Sequence, residues 1–125
     1  MTRARIGLGR LGEALAVERL EARACEVVAR NWRCPVGELD VVARDAEGWL
    51  FVEVRTRRGR GFGSPEESLT VTKRRHLAAA AQTFLAERGA LGEPWRVELA
   101  AIEFTLHGQL LRIEFIPHAV TGADL

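Results

Sequence analysis

One stretch limits the fold of this chain more than any other: Gly37 to Arg57, GELDVVARDAEGWLFVEVRTR. Val41, Val42, Leu50, Phe51, Val52 and Val54 are the β-branched, aliphatic and aromatic residues that strands favour. Between them, Asp45-Ala46-Glu47-Gly48 starts with Asp and ends with Gly, as turns do, so the stretch reads as a β-hairpin. Side chains alternate along a strand, which puts Glu38, Asp40 and Val42 on one face of the first strand and Phe51, Glu53 and Arg55 on one face of the second. Pairing Asp45 with Gly48 sets Asp40 opposite Glu53 and Glu38 opposite Arg55. Two carboxylates facing each other at about 5 Å between Cβ atoms repel, and a divalent cation between them would remove the repulsion. A bulge at Gly48 would shift the pairing by one residue and send the two acids to opposite faces.

The 125 residues, 47% hydrophobic and 28% charged, suit one domain with its own core. It is expected over 1–125, with the core at about 8–116 and a short flexible tail at 117–125. Cys25 and Cys34 lack metal-site spacing, so neither a disulfide framework nor structural zinc is indicated, and a reducing cytoplasm fits. No segment has the length and apolarity of a signal peptide or a membrane span, so no membrane partner is expected. The net charge of +1 does not mark a general nucleic-acid binder. The charge is unevenly spread, however: residues 30–75 hold ten of the eighteen Lys and Arg but seven of the seventeen Asp and Glu.

Leu8 to about Ala24 has helical spacing, with Leu8, Leu11, Leu15 and Ala22 on one stripe and Val17, Leu20 and Ala24 on another, which predicts packing on two sides. Glu13 falls on the second stripe. It is either an inward carboxylate that needs a partner or an early-turn acid favoured by the helix dipole. Glu26 to Arg33 reads as a short strand ended by Pro35 and Gly37, with Arg30 and Arg33 as phosphate contacts or solvated edge charges. Residues 55–63 alternate Arg and Gly, which suits a mobile loop that follows a phosphate backbone. In the next helix, Leu77, Ala81, Phe84 and Leu85 form the apolar stripe and Gly89 the stop. If it restarts at Thr70 or Thr72, Lys73, Arg74 and Arg75 crowd its first turn against the dipole, where an anionic ligand would explain them. If it starts near Ser64, they are ordinary exposed cations. Trp95 to Thr105 and Leu110 to Ile116 read as two further strands without site chemistry, and His76, His107 and His118 have no metal-ligand spacing.

Helix, three strands, helix, two strands, with an acid in the first helix, an Asp in the second strand and Glu-x-Arg in the third, resembles the PD-(D/E)xK nucleases, particularly the archaeal-type Holliday junction resolvases. A closer resemblance is to the YraN family of bacterial proteins, carried by Gly12-Glu13, Gly37-Glu38-Leu39-Asp40, Phe51-Val52-Glu53-Val54 and Lys73. The resemblance implies an α/β, restriction-endonuclease-like three-layer fold of α-β-β-β-α-β-β order, with a central mixed five-stranded sheet flanked by helices. It implies Mg²⁺ or Mn²⁺ on Asp40, Glu53 and the backbone carbonyl of Val54, with Glu13 assisting, and a catalytic set of Glu13, Asp40, Glu53 and Arg55. Arg57, Arg58, Arg60, Lys73, Arg74 and Arg75 are then the nucleic-acid contacts, with DNA as the partner. A homodimer is suggested as well, since two symmetric cuts need two sites. Hard oxygen ligands that leave waters on the ion suit phosphodiester hydrolysis. Arg55 departs from the motif, which has Lys there: a guanidinium stays protonated and can position charge, clamp a phosphate, or serve only as a salt bridge.

Three functions follow. The first is a metal-dependent endonuclease acting on branched or damaged DNA. The second is a nucleic-acid-binding module that kept the fold without turnover, and the third is a structural or dimerisation domain.

Overall fold

The structure is a computed structural model that describes residues 2–59, 61 and 63–125, with side chains from Gly7 onward. Helix α1 (Thr2–Ala22) is followed by strands β1 (Glu26–Cys34), β2 (Gly37–Asp45) and β3 (Gly48–Arg58). A 3₁₀ turn at Glu66–Ser68, helix α2 (Val71–Glu87), β4 (Trp95–Phe104), β5 (Leu110–Ile116) and a last 3₁₀ turn at Gly122–Asp124 complete the chain. The five strands form one sheet in sequence order, antiparallel except for β3 and β4. That parallel pair needs a crossover, and α2 provides it. The fold is the expected α/β one, with a mixed five-stranded sheet between two helices.

Alternation along the strands sorts the core into two layers. Val42, Phe51, Val97 and Leu99 pack with Leu77, Ala81, Phe84 and Leu85 of α2. Val41, Ala43, Leu50, Val52 and Ala100 pack with Ala16 and Leu20 of α1 on the other face. Phe84 is the hub of the α2 layer, with edge-on contacts to Trp32, Trp49 and Phe51 at 5.3, 5.5 and 5.8 Å between ring centroids. The expected two-sided packing of α1 is not observed. Gly12, Ala16 and Leu20 form a single buried stripe at helical spacing, and Leu11 is left 45% exposed.

From the turn as far as Val41 the hairpin register is the one predicted, but the expected pairing of Asp40 with Glu53 lies beyond the end of the ladder. Asp45 pairs with Gly48 and Val41 with Val52, with no bulge between them. Gly48 sits at φ 125°, and a Cβ there would come within 2.4 Å of the Pro94 carbonyl oxygen, so only glycine lets β4 start alongside this turn. Residues 117–125, expected as a flexible tail, dock: Ala119 N–H donates to Val97 O, and Arg74 pairs with Asp124.

Candidate active site

The β2–β3 ladder stops at Val41↔Val52, whereas β3 continues beside β4 as far as Arg58↔Phe104. Leu39 and Val42, three residues apart, both join the α2-side core, which strict alternation forbids; β2 is therefore kinked between them and leaves β3 at Asp40. The edge of β3 beyond Val52 thus loses its neighbour. Asp40 partly replaces it, its Oδ2 accepting the Val54 N–H at 2.8 Å. The N–H and C=O of one strand residue lie on the same edge, so the Val54 carbonyl belongs to the edge that Asp40 caps.

This gap opens into a cavity of about 470 Å³. Glu13 from α1, Asp40 from β2, Glu53, Arg55 and Arg57 from β3, and Lys73 from α2 all line it. All four residues of the expected catalytic set are brought together, along with Val54. Glu53 is nine-tenths covered, its side chain 13% exposed. Burial, the Asp40 carboxylate beside it and, more weakly, Glu38 push its carboxyl up to about 8, against the pull of the Arg55 guanidinium. Arg55 Nη2 lies 2.6 Å from Glu53 Oε2. The carboxylate pair and the cation are thus packed into one desolvated corner.

Several expectations are corrected here. Arg55 was placed opposite Glu38, but the ladder ends before that pair forms: Arg55 binds Glu53 on its own strand face, and Glu38 pairs with Arg33 at 3.5 Å. Glu13 is not an early-turn residue, because α1 begins at Thr2. It is held from β1, accepting from Asn31 Nδ2 at 3.2 Å with Arg30 Nη2 at 4.0 Å. Helix α2 does restart at Thr70, whose hydroxyl accepts from Lys73 N, so Lys73 and Arg74 stand in the first turn. Arg74, however, turns away from the cavity: it donates to Leu69 O at 3.0 Å and pairs with Asp124 at 3.4 Å. Arg58 is likewise directed to Leu106 O at 3.0 Å. Arg75 is exposed, and Arg60 lies outside the described residues. His76 is exposed, as the reading of it as a surface or loop residue expects, and it also lines the cavity with Gly37, Glu38 and Thr56. Its spacing of three from Lys73 on one helix was the available signal.

Asp40, Glu53 and a backbone carbonyl fit a hard divalent ion. Among the described residues no group of three or more His, Cys, Asp or Glu is arranged to hold a metal by itself. Mg²⁺ does not require one, since it is commonly held by one or two carboxylates and keeps several waters. Ionising the carboxyl that burial holds protonated is the step such an ion would favour.

The class of protein is therefore an α/β domain with a carboxylate pair at the end of a split antiparallel ladder. The chain belongs to the family UPF0102, described as an uncharacterised protein family, which matches residues 12–103. A UPF0102 protein of Roseiflexus castenholzii is 48% identical over 98% of this chain and all of its own length. One from Nocardia farcinica is 46% identical over 82% of this chain and 84% of its own. Among solved structures, Pyrococcus furiosus SfsA in complex with Ca²⁺ matches at a TM-score of 0.40 and 15% identity, over 86% of this chain and 63% of that one. Among the described residues, no helix is long and apolar enough to cross a membrane.

Proposed function

We propose that this protein is a metal-dependent nuclease of the restriction-endonuclease-like PD-(D/E)xK kind, hydrolysing phosphodiesters of branched or damaged DNA in a reducing cytoplasm. The observation that carries the reading is the meeting of Asp40 and Glu53 in a cavity whose lining also includes Glu13, Arg55, Arg57 and Lys73. Asp40, Glu53 and the Val54 carbonyl would hold Mg²⁺ or Mn²⁺, which supplies an activated water and charge stabilisation at phosphorus. The Val54 N–H aims Asp40, the Asn31 amide holds Glu13 in place, and Arg57 and Lys73 offer positive charge to a phosphate backbone.

The test is a panel of branched, flapped, single-stranded and duplex DNA, and RNA, with Mg²⁺ or Mn²⁺. Cleavage by the parent that disappears in Asp40→Ala and Glu53→Ala is the expected result. The Arg55–Glu53 ion pair favours a second reading, a DNA-binding module without turnover, because a guanidinium bound to a ligand carboxylate competes with the ion. Salt-sensitive DNA binding that survives both substitutions, with no cleavage under either metal, would establish that reading instead. A homodimer, which paired cuts would need, is tested by sedimentation of the protein with and without a four-way junction.

A further inference from the structure

The cavity contains one amine. Lys73 is the sole lysine of the chain, every other member of its eighteen Lys and Arg being Arg. The position of residue 73 is fixed by the backbone, through the capping bond from its N–H to the Thr70 hydroxyl at 3.2 Å. Its side chain is exposed and lines the cavity that holds Asp40 and Glu53. Of the two arginines there, Arg55 contacts Glu53 at 2.6 Å and Arg57 donates to the adjacent Thr56 carbonyl at 3.0 Å, the Nε of each being buried without a partner. Among the described residues, the ion pairs around the cavity involve Arg30, Arg33 and Arg55 and not Lys73. An ammonium is a compact charge with three donors that swing on a flexible stem, whereas a guanidinium is a planar fork committed to one direction. A swinging ammonium can donate to a phosphate oxygen and to a water beside it at the same time.

We infer that Lys73, reaching in from α2, is the cation that touches both the scissile phosphate and the attacking water, while the planar guanidinium of Arg55 lies beside Glu53 on β3. The inference rests on the nuclease reading. In the step, the water oxygen bonds to phosphorus and the bond from phosphorus to the departing sugar oxygen breaks. The proton of the water passes to solvent, the departing oxygen takes one from solvent, and the ammonium keeps its own protons throughout.

A single ε-amine makes the test specific. Pyridoxal 5′-phosphate followed by borohydride tags amines, and mass mapping isolates the Lys73 peptide. Junction DNA at about ten times its Kd, with Ca²⁺, should lower tagging of Lys73 about tenfold. Lys73→Arg keeps the charge and the backbone cap. It should therefore melt with the parent and retain its salt slope of DNA binding, while its single-turnover cleavage with Mg²⁺ falls about a hundredfold. Adding Arg55→Lys to Lys73→Arg should return part of the lost rate. Cleavage by Lys73→Arg at the parent rate, or tagging that DNA does not alter, overturns the inference and leaves the nuclease reading intact. A parent that cleaves nothing with either metal overturns both.

Discussion

The Asp40 carboxylate and the Val54 amide are hydrogen-bonded at 2.8 Å, at the point where β2 has already left β3. A side chain thus does what the next ladder carbonyl would have done, and its charge is set down beside Glu53. The two consequences can be separated by substitution. Asp40→Asn keeps an oxygen for the Val54 N–H and removes the charge, whereas Asp40→Ala leaves that N–H without its partner, at a cost of about 1–3 kcal/mol. Without metal, Asp40→Asn should melt no lower than the parent and Asp40→Ala below it. With Mn²⁺ at about a hundred times its Kd, the parent should gain about 2.7 kcal/mol and neither variant should gain anything. Thermal unfolding of the three proteins with and without Mn²⁺ measures both effects.

Stability should depend on pH through Glu53. Its carboxyl is raised from 4.5 to about 8 in the folded chain, so between those values the native state holds a proton that the unfolded chain has released. The unfolded state then binds fewer protons, and the slope of unfolding free energy with pH is negative. Stability should fall as pH rises through this window and level off above about 8. Glu53→Gln should remove the fall. Denaturant midpoints at successive pH values test the sign, and a midpoint that rises across the window in the parent but not in Glu53→Gln would refute the assignment. For the same reason Mg²⁺ binding near neutrality should release a proton, read calorimetrically in two buffers of different ionisation enthalpy.

At Gly12, α1 lies tightly against the sheet. A Cβ there would lie 2.3 Å from Thr56 Oγ1 and 3.6 Å from Ile102 Cδ1. Gly12→Ala should therefore destabilise the fold by about 1–3 kcal/mol, even though alanine is the better helix former. Because the nearest atom is a hydroxyl, Thr56→Ala should recover much of the loss, and a double-mutant cycle should show coupling between the two sites. Glu13, the next residue on α1, should shift with the helix, so cavity chemistry should weaken in Gly12→Ala and return in the double variant.

Much of this site was legible because its register depends on local chemistry. Asp45 and Gly48 bracket a two-residue turn, and their pairing carries outward to Val41 and Val52, one residue short of Asp40 and Glu53. What stayed hidden depends on tertiary contact. The kink between Leu39 and Val42 returns both side chains to the α2 core, and past it the β2–β3 ladder has ended before Glu38 could face Arg55. Gly7 and Gly9, poor helix formers, concealed the first turns of α1. Glu98, 7% exposed on β4, is held by Arg96 at 3.6 Å from its own strand and by Arg23 at 3.1 Å, the second a pairing across 75 residues that no local pattern signals. Arg74 stands between Lys73 and Arg75 in sequence, but their neighbourhood on the helix surface is set by the 100° step, which turns it toward the docked C-terminal segment.

That last contrast separates structural from binding cations. Each phosphate contact contributes about 0.9 to the slope of log affinity against log salt. Arg57 lines the cavity and Arg75 is exposed, so Arg57→Ala and Arg75→Ala should each lower the slope by about 0.9 with a small change in melting temperature. Arg74→Ala should do the reverse. It removes the cation from Asp124, whose side chain is 8% exposed, and the donor from the Leu69 carbonyl. The slope should then stay at the parent value while the protein melts earlier, because a covered carboxylate has lost its partner. Fluorescence titrations of a labelled duplex at several salt concentrations, run beside thermal melts, give both quantities for each variant. A slope that drops for Arg74→Ala and not for Arg75→Ala would move the DNA track to the other side of α2.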